Sequence, residues 1–296
     1  MKIEIIEPYG YCPGVRSGID RSLYVPEDHP DKDIFMLGPV IHNSYTNQRL
    51  ISKKVNIVQY KFLGFPDFLK ILNQEKCFYI LTAHGHSKQM DKDLKEINAR
   101  FLDTTCFFVK RIHERFEQIP EDSYVIYIGN KDHIECRTSV QYLNCPYEVK
   151  EGVTVNDLKK HKNLILTNQS THCIDHIVQE FKHLIEELNI QVMDNLCTPL
   201  RKRMNVVEER INDFEFFVVV GDHISNNARN LEKTIHGFHR DCVLINGLDE
   251  FYKAERIIRK NYYKHIGVLS ATSTDNEEVE AVAEKLDNLE IKKPIV

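Results

Sequence analysis

The sequence predicts an α/β protein of three pseudo-threefold related α/β units, with mostly parallel sheets around one central site. Two observations carry that expectation. Three segments of similar pattern recur at intervals of roughly 90 residues, and self-similarity at a fixed period marks a repeat architecture. Short apolar runs bounded by turn residues alternate with helical stretches, which suits strands buried in a parallel sheet and covered by helices.

The repeated segments are Ile6–Arg16, Phe101–Lys110 and Val192–Arg201. Each runs through apolar and acidic residues to a cysteine (Cys12, Cys106 or Cys197), then to Val or Leu three positions on and a base after that. Downstream, strand-like runs end in polar loops: Ile34–Ile41 before His42, Tyr124–Gly129 before His133 and Glu135, and Phe216–Gly221 before Ser225. A second set comprises Phe78–Ala83 before His84, Leu164–Leu166 before Gln169–Thr171, and His265–Leu269 before Ser273. Helical stretches are read at Val109–Gln118, His172–Leu188, Leu200–Ile211 and Glu277–Leu286. The units are then 1–99 with Cys12, His42 and His84, 100–191 with Cys106, His133, Glu135 and Ser170, and 192–296 with Cys197, Ser225, Ser273 and a C-terminal tail. Ligands of open α/β sheets bind beyond the carboxyl ends of the strands, so these loops are the candidate site.

Composition narrows the function classes. The 296 residues are 42% hydrophobic and 28% charged, a globular balance. A net charge of −5 and a pI near 6.3 give no electrostatic case for a nucleic-acid partner. No apolar run approaches the roughly 18 residues of a spanning helix, and the start MKIEIIEPYGYC alternates like a strand and is unlike a signal peptide, so a cytoplasmic protein without a membrane partner is expected. In that compartment the eight cysteines are not a disulfide framework, and no CxxC pair marks a zinc ribbon or thioredoxin-type site.

Cys77, Cys136, Cys145, Cys173 and Cys242 fall outside the repeat and read as small buried hydrophobes. Cys12, Cys106 and Cys197 occupy equivalent places in three units, and three thiolates can hold a 4Fe-4S cluster with one iron free of protein, at a central cluster site. Spacing alone leaves zinc open, and with it a zinc-dependent hydrolase; a non-catalytic diphosphate-binding module on the same fold is a separate alternative. Of 14 histidines, His42, His84 and His133 stand where strand-like runs break, and imidazolium donors there suit a phosphate or diphosphate. No P-loop or GxGxxG follows a strand, so an anion site is expected from several loops. Glu135, two residues beyond His133, shares a face with it in an extended loop and suits proton exchange with a substrate.

GYCPGV around Cys12, PVIHN around His42, TAHGHS around His84, DTTC at Cys106, His133-Ile134-Glu135, Gln169-Ser170-Thr171, Cys197, VVVGDHISNN through Asn227, and SATST at Ser273 stand in order along almost the whole chain. In these motifs the sequence resembles the 4-hydroxy-3-methylbut-2-enyl diphosphate reductase family. The resemblance implies a 4Fe-4S cluster on Cys12, Cys106 and Cys197, its fourth iron open to substrate. It further implies contacts to an allylic diphosphate from His42, His84, His133, Ser225, Asn226, Asn227 and Ser273, a hydroxyl near the substrate alcohol at Ser170, and a proton donor at Glu135. Two electrons would come from a ferredoxin or flavodoxin type donor. Ile134 and Phe107 stand where the family carries proline, Ser170 replaces a threonine, and Asn226 replaces a serine with an amide that still donates.

Overall fold

The computed structural model describes residues 1–58 and 65–290, so the end of the C-terminal tail lies outside the described residues. Its strands are β1 (Lys2–Ile5), β2 (Asp33–Leu37), β3 (Val55–Val58), β4 (Cys77–Leu81), β5 (Phe101–Asp103), β6 (Tyr124–Ile128), β7 (Tyr147–Lys150), β8 (Leu164–Asn168), β9 (Gln191–Met193), β10 (Phe216–Val220), β11 (Asp241–Ile245) and β12 (His265–Ser270). All pairings are parallel and build three sheets of four strands, ordered β1-β12-β10-β11, β5-β4-β2-β3 and β9-β8-β6-β7. These are the three α/β units expected from the repeat.

In each sheet the strand leading to a cysteine lies at one edge. The strand that completes a sheet therefore belongs to the next cysteine segment, and β1 completes the sheet of β10 to β12. Sheet membership is offset by one strand from the sequence divisions 1–99, 100–191 and 192–296. By contact density the chain forms two compact units. One comprises Met1–Val15, His42–Thr46 and the chain from Thr198 onward and holds the sheet of β1; the other comprises Arg16–Ile41 and Asn47–Cys197 and holds the remaining two sheets.

The continuous apolar runs work because both faces of the sheets built on β10 and β6 are covered. Along β10, Phe216, Val218 and Val220 join one core cluster with Ile258, Val279 and Val282, while Phe217 and Val219 join another with Val207, Leu231 and Ile235. Along β6, Val125 and Tyr127 face Ile112 and Phe116, and Ile126 and Ile128 face Leu158 and Ile177. This is the period of two with neither face left to water. Each such side chain contributes about 1.5–3 kcal/mol on burial, enough to fix the register.

The three sheets also repeat hydrogen bond for hydrogen bond. After the central strands β2, β6 and β10, the amides of Gly38, Gly129 and Gly221 donate to the last residues of β3, β7 and β11 at 3.0, 2.8 and 2.9 Å. The amides of Cys12, Cys106 and Cys197 donate to Thr272, Ala83 and Ser170 at 3.0, 3.1 and 2.8 Å, in each case to the carbonyl two residues past the neighbouring strand.

The expected helices largely hold: Phe107–Glu117, Thr198–Arg210 and Asn276–Asp287 are observed. The stretch expected at His172–Leu188 starts later and is divided into Asp175–Glu180 and Lys182–Glu187 by Phe181, whose φ of −102° and ψ of 17° leave the helical range.

Candidate active site

Each repeat cysteine immediately precedes the first residue of a helix: Cys12 before Pro13–Asp28, Cys106 before Phe107–Glu117, Cys197 before Thr198–Arg210. Unpaired N–H groups and the dipole at a helix start favour anionic ligands such as thiolates. No disulfide joins cysteines among the described residues; Cys12 is buried, and Cys106 and Cys197 are half-buried. Off the repeat, burial pushes Cys136 and Cys242 up to about 12, keeping them protonated. The family's proline positions, held here by Ile134 and Phe107, prove to be the first residues of helices. An N–H at that position is unused in the helix, so proline suits it without being required.

In the unit holding Cys106 and Cys197, the predicted site residues form one connected string. The expected extended loop at His133 is instead the start of the short helix Ile134–Ser139, with His133 as its cap: His133 Nδ1 accepts from the Glu135 amide at 3.2 Å. A run of six residues is too short for periodicity to reveal it. Glu135, 2% exposed, points inward, where its oxygens accept from the Ser170 amide at 2.6 Å and the Ser170 hydroxyl at 2.7 Å. The same Ser170 holds the Cys197 amide through its carbonyl. Burial raises the Glu135 carboxyl to about 7, outweighing the two Ser170 hydrogen bonds that favour its anion. His84 and His133 lie with ring centroids 5.5 Å apart.

Residues the sequence reading missed support this string. His86 bonds Thr105 Oγ1 at 3.3 Å and Asp91 at 3.1 Å, tying the TAHGHS loop to the residue before Cys106. Gly85 has φ +88°, and a Cβ there would lie 2.9 Å from Val109 and 3.0 Å from His113, so this turn admits glycine alone. Burial pushes His113, behind the loop, down to about 4.

In the unit holding Cys12, Ser225 caps the helix Asn226–Gly237, its hydroxyl accepting from Ala228 N and lying 3.4 Å from the Ser273 hydroxyl. Both serines are buried. Asn226 Oδ1 accepts from Arg229 at 2.6 Å, and Asn227 Oδ1 is buried with no hydrogen-bond partner among the described residues. Burial holds His42 below its usual pKa, partly countered by Asp222. His42 is thus held toward its neutral form, and at His133, where Nδ1 accepts from the Glu135 amide, Nε2 is the ring nitrogen left to donate.

The turn before Cys12 is held by a residue absent from the sequence reading. Arg203, 5% exposed, donates to the carbonyls of Gly10 and Ser270, both at 2.5 Å, while Gly10 N donates to Ser270 Oγ at 2.9 Å. The available signal was a charge on the apolar stripe Leu200, Arg203, Val207. Gly10 has φ +75° with Asn276 Oδ1 2.0 Å from where a Cβ would stand, so the turn before Cys12 also demands glycine. Tyr11 OH pairs with Thr46 Oγ1 at 2.6 Å, Thr46 donates to Asn43 Oδ1 at 2.9 Å, and Asn43 donates to Glu278 at 3.2 Å.

Three parallel-sheet units whose strand-to-helix connections carry thiols, hydroxyls and a buried carboxyl near neutrality define an α/β protein with its candidate chemistry in those connections. The family model described as LytB protein matches residues 3–287, and the chain belongs to that family. It is 26% identical over 294 residues to a protein of Campylobacter jejuni named 4-hydroxy-3-methylbut-2-enyl diphosphate reductase, covering 98% of this chain and 100% of that one. A protein of the same name from Clostridium tetani is 24% identical over 298 residues, and the chain spans only 45% of its length. The solved reductase of Plasmodium falciparum superposes with a TM-score of 0.81 at 22% identity, over 97% of this chain and 88% of that one, and so shares the fold. No described helix is long and apolar enough to cross a membrane.

Proposed function

We propose that this chain reduces 4-hydroxy-3-methylbut-2-enyl diphosphate to isopentenyl and dimethylallyl diphosphate, with a 4Fe-4S cluster on Cys12, Cys106 and Cys197. The reaction takes two electrons and two protons and releases the hydroxyl oxygen as water. The electrons come from a ferredoxin or flavodoxin type donor in the cytoplasm. The cysteines fit the group: their amides are anchored alike and each stands at a helix start, the donor chemistry of iron-sulfur ligation. When bound, the cluster supplies the electrons and a Lewis-acidic iron that lacks a protein ligand.

The chain's own residues bind and protonate. Glu135 holds a proton near neutrality and is the acid; once it has given the proton up, the two Ser170 donors stabilise its carboxylate. The Ser170 hydroxyl is the relay toward the substrate alcohol. The diphosphate is read by N–H donors of His42, His84 and His133, by Asn226, Asn227 and Ser273, and by the helix start at Ser225. Holding the diphosphate fixes the alcohol, which is catalysis by positioning.

The observation carrying this reading is the buried Glu135, bonded twice to the residue whose carbonyl holds the Cys197 amide. Anaerobic purification with iron and sulfide analysis, then an assay with a one-electron dye donor and the allylic alcohol diphosphate, tests it. A brown protein that turns substrate over is expected. A colourless zinc protein that hydrolyses substrate points to the hydrolase, and substrate binding without turnover in iron-loaded protein points to the binding module; either result ends the proposal.

A further inference from the structure

The helix Asn226–Gly237 and the strand after it carry a second set of metal-ligating side chains, separate from the three repeat cysteines and independent of the function proposed above. Glu232 and His236 are four residues apart and so share one face of that helix. The chain then turns through His239, φ 56°, and returns as β11, an edge strand, bringing Cys242 against that face. A carboxylate oxygen of Glu232, a ring nitrogen of His236 and Sγ of Cys242 lie within 4.8 Å of one another.

The closest pair has the spacing a tetrahedral ion asks for. Zinc with a thiolate at about 2.3 Å and an imidazole nitrogen at about 2.0 Å separates the two ligand atoms by roughly 3.5 Å. Cys242 Sγ lies 3.5 Å from His236 Nε2. Asp241, the neighbouring carboxylate, is engaged by the Tyr263 hydroxyl at 2.9 Å. Glu232 and Cys242 are half-buried while His236 is exposed, which leaves a solvent side for a fourth ligand.

We propose that Glu232, His236 and Cys242 bind one divalent transition-metal ion of the zinc class, with water in the fourth position. The donor set of carboxylate, imidazole and thiolate selects borderline ions over magnesium or calcium. Binding forms the sulfur–metal bond as the thiol proton leaves to solvent. The ion ties the last turns of this helix to β11, while the first turn of the same helix carries Asn226 and Asn227.

The test uses the cluster-loaded protein, dialysed against zinc and analysed for zinc and iron together. One zinc per chain is expected in the wild type and in Cys77→Ser, and none in Cys242→Ser. Glu232→Gln and His236→Ala should bind zinc at least about tenfold more weakly, since loss even of groups that only orient a ligand costs 10–100-fold. Iron should stay constant throughout, which separates this site from the repeat cysteines and reports folding. Cobalt added in place of zinc should give a thiolate charge-transfer band in the difference spectrum of the wild type and not of Cys242→Ser. Equal zinc in wild type, Cys242→Ser and Glu232→Gln, or no zinc retained by the wild type, overturns the proposal.

Discussion

In the unit built on β2 to β9, the predicted residues are bonded to one another: Cys197 to Ser170, Ser170 to Glu135, and Glu135 to His133. In the unit built on β1 and β10 to β12, the same strand-to-helix connections carry neutral hydroxyls and amides around a helix start, Ser225, Ser273, Asn226 and Asn227, and no acid comparable to Glu135 is among the predicted residues there. The scaffold is the same to the level of single amide bonds, so scaffold does not explain the difference. Burial does: Glu135 is enclosed with only two neutral donors, which puts its proton within reach near pH 7, whereas the Ser225 side offers uncharged donors suited to a bound anion.

The largest expected effect tests the common scaffold. Cys106→Ser should abolish both bound iron and turnover, while Cys77→Ser, whose buried thiol donates to Asn73 O at 3.1 Å, should keep both. A brown, active Cys106→Ser protein would erase the equivalence of the three units.

Glu135→Gln tests what sets the two halves apart. Turnover should fall roughly 10²–10⁴-fold with substrate affinity kept, and wild-type turnover should itself decline as pH rises past about 7. Stability follows the same group. The folded pKa is raised from 4.5 to about 7, so the folded chain keeps a proton that the unfolded chain gives up. This contribution is whole below pH 4.5, is lost as pH rises to about 7, and is level beyond. The loss is roughly 3 kcal/mol, since each tenfold change in proton affinity is worth about 1.4 kcal/mol. Denaturant titrations of Glu135→Gln across this range should lack that decline; an identical slope in both proteins would remove the buried acid from the account.

Smaller effects separate holding from binding. His133→Ala should cost about 1 kcal/mol through loss of the cap on Ile134–Ser139, and His133→Asn should restore stability, asparagine being a good cap, while leaving KM raised. Recovery of KM in His133→Asn would assign His133 to the scaffold alone. Least of all, Ser225→Ala should raise KM with kcat little changed and cost about 1 kcal/mol as a lost helix cap, measured by steady-state kinetics and unfolding. A fall in kcat at unchanged KM would move Ser225 from anion binding to the chemistry.

Much of this was legible in advance because it is local. The runs at Phe216–Gly221 and Tyr124–Gly129 became β10 and β6 within a residue, since a strand buried on both faces is written as an unbroken apolar segment. The cysteine repeat was legible because three equivalent positions keep the same neighbours. Arg203 was not, because its partners Gly10 and Ser270 are far away in sequence and a buried arginine is recognised only by what it bonds. The helix start at His133 escaped because one short turn leaves no period to read.

By itself the amino-acid sequence determined the fold class, the threefold recurrence and the candidate residues of the site, since these rest on patterning within one strand, one helix or one motif. Tertiary structure alone decided that β1 completes the sheet of β12, that Glu135 lies buried between two Ser170 donors and has its carboxyl raised to about 7, and that Glu232, His236 and Cys242 meet. Strand partners, burial and the distance between side chains far apart in sequence are set by how the whole chain packs, and desolvation, the largest influence on Glu135, exists only once that packing has excluded water.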